Sequence, residues 1–170
     1  ARPVGEEPVD AELQVVREGH FRDRHLHQHL AGDHVELREL CPVNRDVRRL
    51  QSLQNYDGGF PYWRRGFESI PFNTIHVTHA LIRAQQKGFD VPAEMRQNAL
   101  TYLRDIESHY PHWYSQQTRW TLSAYALYVR DLTGDRDPQK AVKLIEEAGL
   151  DNLSMEAIGW LWPVLQDAPG

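Results

Sequence analysis

Two joints of one design, Gly88 to Pro92 and Gly134 to Pro138, divide the apolar stretches of this chain. In each, a glycine closes one helical pattern and a proline opens the next. Joints this short make flanking helices antiparallel neighbours. The segments around Gly58 and around Pro111 are longer and rich in aromatics. This alternation describes a two-helix repeat with one tight end and one decorated end. No strict residue period accompanies it, so a divergent hairpin array is expected rather than a regular solenoid.

Helical periodicity fills the intervals. Asn44 is placed to cap a helix carrying Val47, Leu50 and Leu53 on one side. A second helix is expected from about Asn73 to Lys87, with Ile75, Thr78, His79 and Ile82 on one face and Val77, Leu81 and Ala84 beside it. Gly88 followed by Phe89 reads as a glycine C-cap with its hydrophobic contact. A third begins near Pro92, and Met95, Ala99, Tyr102, Leu103 and Ile106 form its buried stripe. The fourth, about Ser115 to Thr133, is apolar over most of its circumference, as a helix covered on several sides must be. Asp137-Pro138 opens a fifth with Ala141, Leu144, Ile145 and Ala148 inward, and Gly149-Leu150 repeats the Gly88-Phe89 pattern. Ser154 caps a sixth whose stripe is Met155, Ile158, Leu161, Trp162 and Leu165, and Pro163 should bend it or end it early. No segment alternates like a strand. The expected class is all-α, antiparallel helical hairpins.

The first decorated loop is Leu53-Gln54-Asn55-Tyr56-Asp57-Gly58-Gly59-Phe60-Pro61-Tyr62-Trp63. Asp57-Gly58-Gly59 is a turn signal, because glycine reaches positive φ without a Cβ clash. The aromatics that follow predict a turn buried under aromatic surface. Gln54, Asp57, Gly58, Gly59, Phe60 and Trp63 are therefore the candidate structural residues of a lock between hairpins.

Composition bounds the function. A chain of 170 residues, 41% hydrophobic, can build one real core. A formal net charge of −5 with no basic stripe gives no footprint for nucleic acid. No apolar run approaches a membrane span of about 20 residues. The start at Ala1 without methionine reads as a mature or excised segment. Residues 1–40 are expected to be a polar lead-in, helical in part, before a domain at 41–170. The single cysteine, Cys41, allows no internal disulfide and reads as a small buried hydrophobe.

Chemical motifs are sparse. His20, His25, His27, His29 and His34 crowd one stretch, and on a helix His25 and His29 share a face. They are the only metal candidates, and weak ones: zinc needs three or four ligands, and no HExxH pattern is present. His76, His79, His109 and His112 read as hydrogen-bonded packing residues. There is no Gly-x-Ser-x-Gly elbow and no phosphate-binding glycine loop. No catalytic residue and no cofactor is expected. Trp113, Tyr114 and Trp120 are the candidate partner or ligand surface, against the alternative that such rings fill the ends of hairpins.

The loop resembles the Gln-x-x-Asp-Gly-Gly-aromatic loop of α/α-toroid proteins. With Thr78-His79-Ala80-Leu81-Ile82-Arg83-Ala84, Gly88-Phe89-Asp90-Val91-Pro92, Ala124-Tyr125-Ala126-Leu127 and Met155-Glu156-Ala157, the series from Asn44 to Leu165 is similar to the thioester domain of bacterial α2-macroglobulin-like proteins. The resemblance implies part of an α/α toroid of the terpenoid-cyclase type, within an endopeptidase inhibitor of the cell envelope, periplasm or exterior. Its partners would be neighbouring domains of a larger parent chain, and proteases through that parent. The family's thioester needs Cys-x-Glu-Gln, and Cys41-Pro42-Val43-Asn44 lacks both the glutamate and the glutamine, so no thioester residue carries over. An incomplete ring leaves apolar helix edges, which predicts association. The alternatives are a toroid enzyme or ligand binder with a tryptophan-lined site, and a tetratricopeptide-like interaction module.

Overall fold

A computed structural model describes residues 42–166. Among them are six α-helices: α1 Pro42–Leu53, α2 Pro71–Gln86, α3 Ala93–Arg104, α4 Gln116–Asp131, α5 Pro138–Ala148 and α6 Met155–Leu165. Short 3-10 turns, Ile106–His109 and Leu150–Asn152, follow α3 and α5. The described residues contain no strand; a lone antiparallel bridge pairs Pro61 with Ser69. The class is all-α, as expected. The lead-in at 1–40, Cys41 and the histidines at 20–34 lie outside the described residues.

From α2 onward each helix packs on its sequence neighbour, and α2 packs on α4 and α4 on α6. That next-but-one packing stacks hairpins side by side, the arrangement from which an α/α ring is built. α4 is the shared wall. Leu122, Tyr125, Ala126 and Val129 face a cluster with Ile75, Ile82, Leu100, Leu103 and Ile106. Its Ala124 and Leu127 face a second cluster with Ala141, Leu144, Ala148, Ala157, Leu161 and Val164. Being covered on both sides explains its nearly continuous apolar sequence. A third cluster joins α1 to α2 and α3 through Val47, Phe60, Leu81, Val91, Met95 and Ala99.

The two tight joints share one hydrogen-bond pattern. After α2, Gly88 N–H donates to Gln85 O at 2.9 Å and Phe89 N–H to Ala84 O at 3.1 Å. After α4, Gly134 N–H donates to Asp131 O at 2.9 Å and Asp135 N–H to Arg130 O at 3.2 Å. Both are Schellman closures, with φ of 85° and 80° at the glycines. Asp137 and Ser154 cap as expected, accepting from Lys140 N–H and Ala157 N–H.

Three local expectations are corrected. Asn44 lies inside the first turn of α1, which begins at Pro42, because proline at the first helical position needs no N–H partner. Gly149 does not repeat the Gly88 closure. Its ψ of 141° is extended, and the Asn152 side-chain amide takes the Ala148 carbonyl at 2.8 Å instead. In α6 the buried residues are Ala157, Leu161 and Val164, while Met155 and Trp162 face outward. Ala157, Leu161 and Val164 pack against α4 and α5, and Trp160 stacks on Tyr125 of α4. Pro163 sits within α6, and the helix continues two residues past it to Leu165. Its i−4 carbonyl belongs to Gly159, where an added Cβ would meet nothing within 4 Å, and Arg136 donates to the Pro163 carbonyl.

The α4–α5 joint carries an ion network. Arg130, 6% exposed, reaches Asp135 at 3.1 Å and Asp137 at 3.5 Å, and Arg104 of α3 reaches Asp135 at 2.9 Å. The Arg130 hydrogen bond, helped by both guanidinium charges, holds the Asp135 carboxyl below its ordinary value of 3.8 despite partial burial. A depressed native value means stability that is complete above the unfolded-state value and lost as pH falls through the native one. The native chain should therefore lose more urea resistance between pH 5 and pH 3 than Asp135→Asn does. Equal losses would show that the network contributes nothing.

Candidate functional site

The loop between α1 and α2 is built around three side chains. Gln54, 7% exposed, donates through Nε2 to Gly58 O at 3.0 Å and to Met95 O at 2.9 Å in the first turn of α3. Asp57 Oδ1 accepts from Gly59 N–H at 2.8 Å, an Asx turn, and from Ser69 Oγ at 2.9 Å. Asn55 donates to Phe67 O and Ser69 Oγ and accepts from Gly66 N–H, which closes the long arm of the loop. Phe60 is buried, and its N–H donates to Thr74 Oγ1 at 2.9 Å.

The two glycines are both needed, for different reasons. Gly58 has φ of +84°, and a Cβ there would lie 2.2 Å from Asn98 O. At Gly59 a Cβ would fall 2.5 Å from Ser69 Cβ and 2.7 Å from the Tyr102 ring. Tyr102 is buried under this turn and stacks on His109, with centroids 3.7 Å apart. Its hydroxyl has no hydrogen-bond partner among the described residues. Burial first, then the Asp57 charge, push its pKa up.

The expected aromatic cover is only partly present. Phe60 fills the one buried slot, whereas Trp63 is 77% exposed and meets Tyr62 edge-on at 4.6 Å. Trp63 takes no part in the packing beneath the turn. The candidate surface of Trp113, Tyr114 and Trp120 divides likewise. Trp113 is 65% exposed, Tyr114 packs on the α2–α3–α4 cluster, and Trp120 packs on the α4–α5–α6 cluster. Arg119 fastens their loop by donating to the Tyr114, Pro111 and His112 carbonyls.

A cluster that sequence reasoning did not assemble lies across α2, α4 and α6. His79 Nδ1 is 2.9 Å from Tyr125 Oη, and His76 Nδ1 is 3.4 Å from the same oxygen. Trp160 stacks on Tyr125 at 4.2 Å, and Tyr128 meets His79 edge-on. The histidines stand three residues apart on one helix, which was visible, but their partner lies 46 to 49 residues away. Only the helix pairing reveals it. Burial, then Arg83 and His76, push the His79 pKa down. The folded chain thus prefers neutral His79, so stability is full above 6.5 and falls as pH drops through that value. Replacing His79 by Asn should flatten the stability profile between pH 7 and pH 5.5. A profile unchanged from the native chain would remove His79 from the account.

Among the described residues no three metal-ligating side chains converge, and no helix is long and apolar enough to cross a membrane. Over 140 residues, 81% of this chain, the sequence is 34% identical to the alpha-2-macroglobulin of Thermotoga maritima. It is 26% identical over 110 residues to the alpha-2-macroglobulin of Rickettsia conorii. The chain spans only 8% and 6% of those proteins. Its fold matches native Escherichia coli alpha-2-macroglobulin, from domain MG7 to the C-terminus, with a TM-score of 0.62 at 20% identity, covering 74% of this chain and 21% of that one. The trypsin-activated form of the same protein matches equally, with a TM-score of 0.62. No family model matches the chain. It is a partial alpha-2-macroglobulin-like domain, and the toroid architecture expected from the loop series is compatible with these neighbours.

Proposed function

We propose that this chain is a non-catalytic helical domain of an alpha-2-macroglobulin-like endopeptidase inhibitor. It acts through domain contacts and shape change while the parent protein traps a protease. The observation that carries the reading is the 34% identity to the Thermotoga maritima protein over most of this chain. The same reading makes residues 1–40 a lead-in to a domain at 41–170, and places the parent in the envelope, periplasm or exterior. Within the domain, Gln54, Asp57, Gly58, Gly59 and Phe60 lock the first hairpin to the second. The bridge from Gln54 to the Met95 carbonyl supports that role. Trp63 is left to face a partner.

A trapped protease keeps its active site but cannot reach large substrates. Trypsin mixed with the complete parent protein should therefore lose activity on a folded protein substrate while still cleaving a small chromogenic amide. The 170-residue chain alone should leave both activities intact. Equal loss on both substrates, or on neither, with the parent protein would defeat the proposal.

A further inference from the structure

The large apolar side chains exposed on this domain are not scattered. Helices run alternately, so the α1–α2, α3–α4 and α5–α6 connections share one end of the array. That end carries exposed Tyr56, Tyr62, Trp63, Phe67, Phe72 and Trp113. Leu150 and Met155, at the α5–α6 connection and the start of α6, extend it. Trp162, late in α6, and Val142 in α5 are exposed away from it. Single exposed apolar residues need no explanation, but a concentration of them marks an interaction surface.

The charge on this end is specific. The Arg65 guanidinium lies 4.6 Å over the Tyr56 ring and that of Arg64 lies 5.0 Å over Phe67. Among the described residues neither arginine has a carboxylate partner. Tyr56, Arg65 and Phe67 line one groove of about 340 Å³, whose other wall carries Asp57, already bonded to Gly59 and Ser69, and Glu68. None of the three lysines, Lys87, Lys140 and Lys143, lines that groove, and Lys140 pairs with Glu107 at 2.8 Å. Tryptophan, tyrosine, methionine and arginine without lysine is the composition of a protein-interface core. A surface for anionic lipid would instead gather about 4–8 basic residues.

We propose that this aromatic end docks a protein surface that presents carboxylates beside apolar or aromatic side chains, with Arg64 and Arg65 receiving the carboxylates. The guanidinium groups already sit over their rings, so less side-chain freedom is lost on pairing. The proposal stands apart from the inhibitor reading, and either can fail without the other.

The probe is a fluorescein-labelled random copolymer of glutamate and tyrosine, titrated with the 170-residue chain and followed by anisotropy. Saturable binding is expected, stronger than to polyglutamate and weakened by salt. Arg64→Glu/Arg65→Glu should weaken it about tenfold or more, and Trp63→Ser should weaken it without altering the thermal melt. Arg83→Glu, on an exposed face of α2, should leave it unchanged. Three results would overturn the proposal: no binding, binding that both variants retain, or binding to phosphatidylserine vesicles in preference to the copolymer.

Discussion

Gly58→Ala should destabilise this domain by about 2–6 kcal/mol, most of the margin of a small fold. Two effects combine. At φ of +84° an L side chain is strained, and the new Cβ would lie 2.2 Å from Asn98 O and 2.7 Å from Asn98 C. Those atoms are backbone of α3, so relief requires the helix to move rather than a rotamer to flip. Gly88→Ala separates the two contributions. Its φ of +85° imposes the same strain, but nothing lies within 4 Å of the added Cβ. Strain alone costs about 1–2 kcal/mol. Urea unfolding of both variants, followed by circular dichroism, should place Gly58→Ala well below Gly88→Ala. Coincident curves would mean that the loop does not press on α3.

Gln54→Leu should cost about 2–4 kcal/mol. The amide donates two buried hydrogen bonds, at 3.0 Å to Gly58 O and 2.9 Å to Met95 O. Leucine leaves both carbonyls without that donor, and a buried polar group left unpaired costs about 1–3 kcal/mol. The Met95 carbonyl also serves its own helix, which keeps the sum toward the lower half. Gln54→Glu sharpens the test, because it keeps the size and removes the donor. At neutral pH it should be at least as damaging as leucine, and it should regain stability as acid protonates the new carboxyl. If the glutamate variant matches the native chain at pH 7, the bridge carries no weight.

Much of this fold was legible because its punctuation is chemical. Gly88-Phe89, Gly134, Asp137-Pro138 and Ser154 each dictate a hydrogen-bond pattern that depends on a few neighbouring residues. The stripe of α3 was readable because one face is buried and the other is not. α6 was misread for the opposite reason. Its sequence is apolar on every side, so periodicity could not choose between Met155 or Trp162 and Ala157 or Val164. The choice belongs to the packing against α4 and α5, which takes Ala157, Leu161 and Val164. Gly149 was misread because the deciding group, the Asn152 amide, acts from three residues further on. Within the candidate site, the turn at Asp57 to Gly59 was local and readable. The histidine–tyrosine cluster was not, since it depends on which helices lie side by side.

The position of α4 between two hydrophobic clusters bears on how the domain comes apart. Tyr128 and Trp160 touch both clusters, so neither can melt while the other stays whole. Among the described residues α1 meets its neighbours through the third cluster, where Val47 is its buried residue. Amide protons on α4 should then exchange with deuterium only through complete unfolding, while those of α1 escape through a smaller opening. The domain would thus release its first helix, and the hinge of its Gln54 lock, without surrendering its centre.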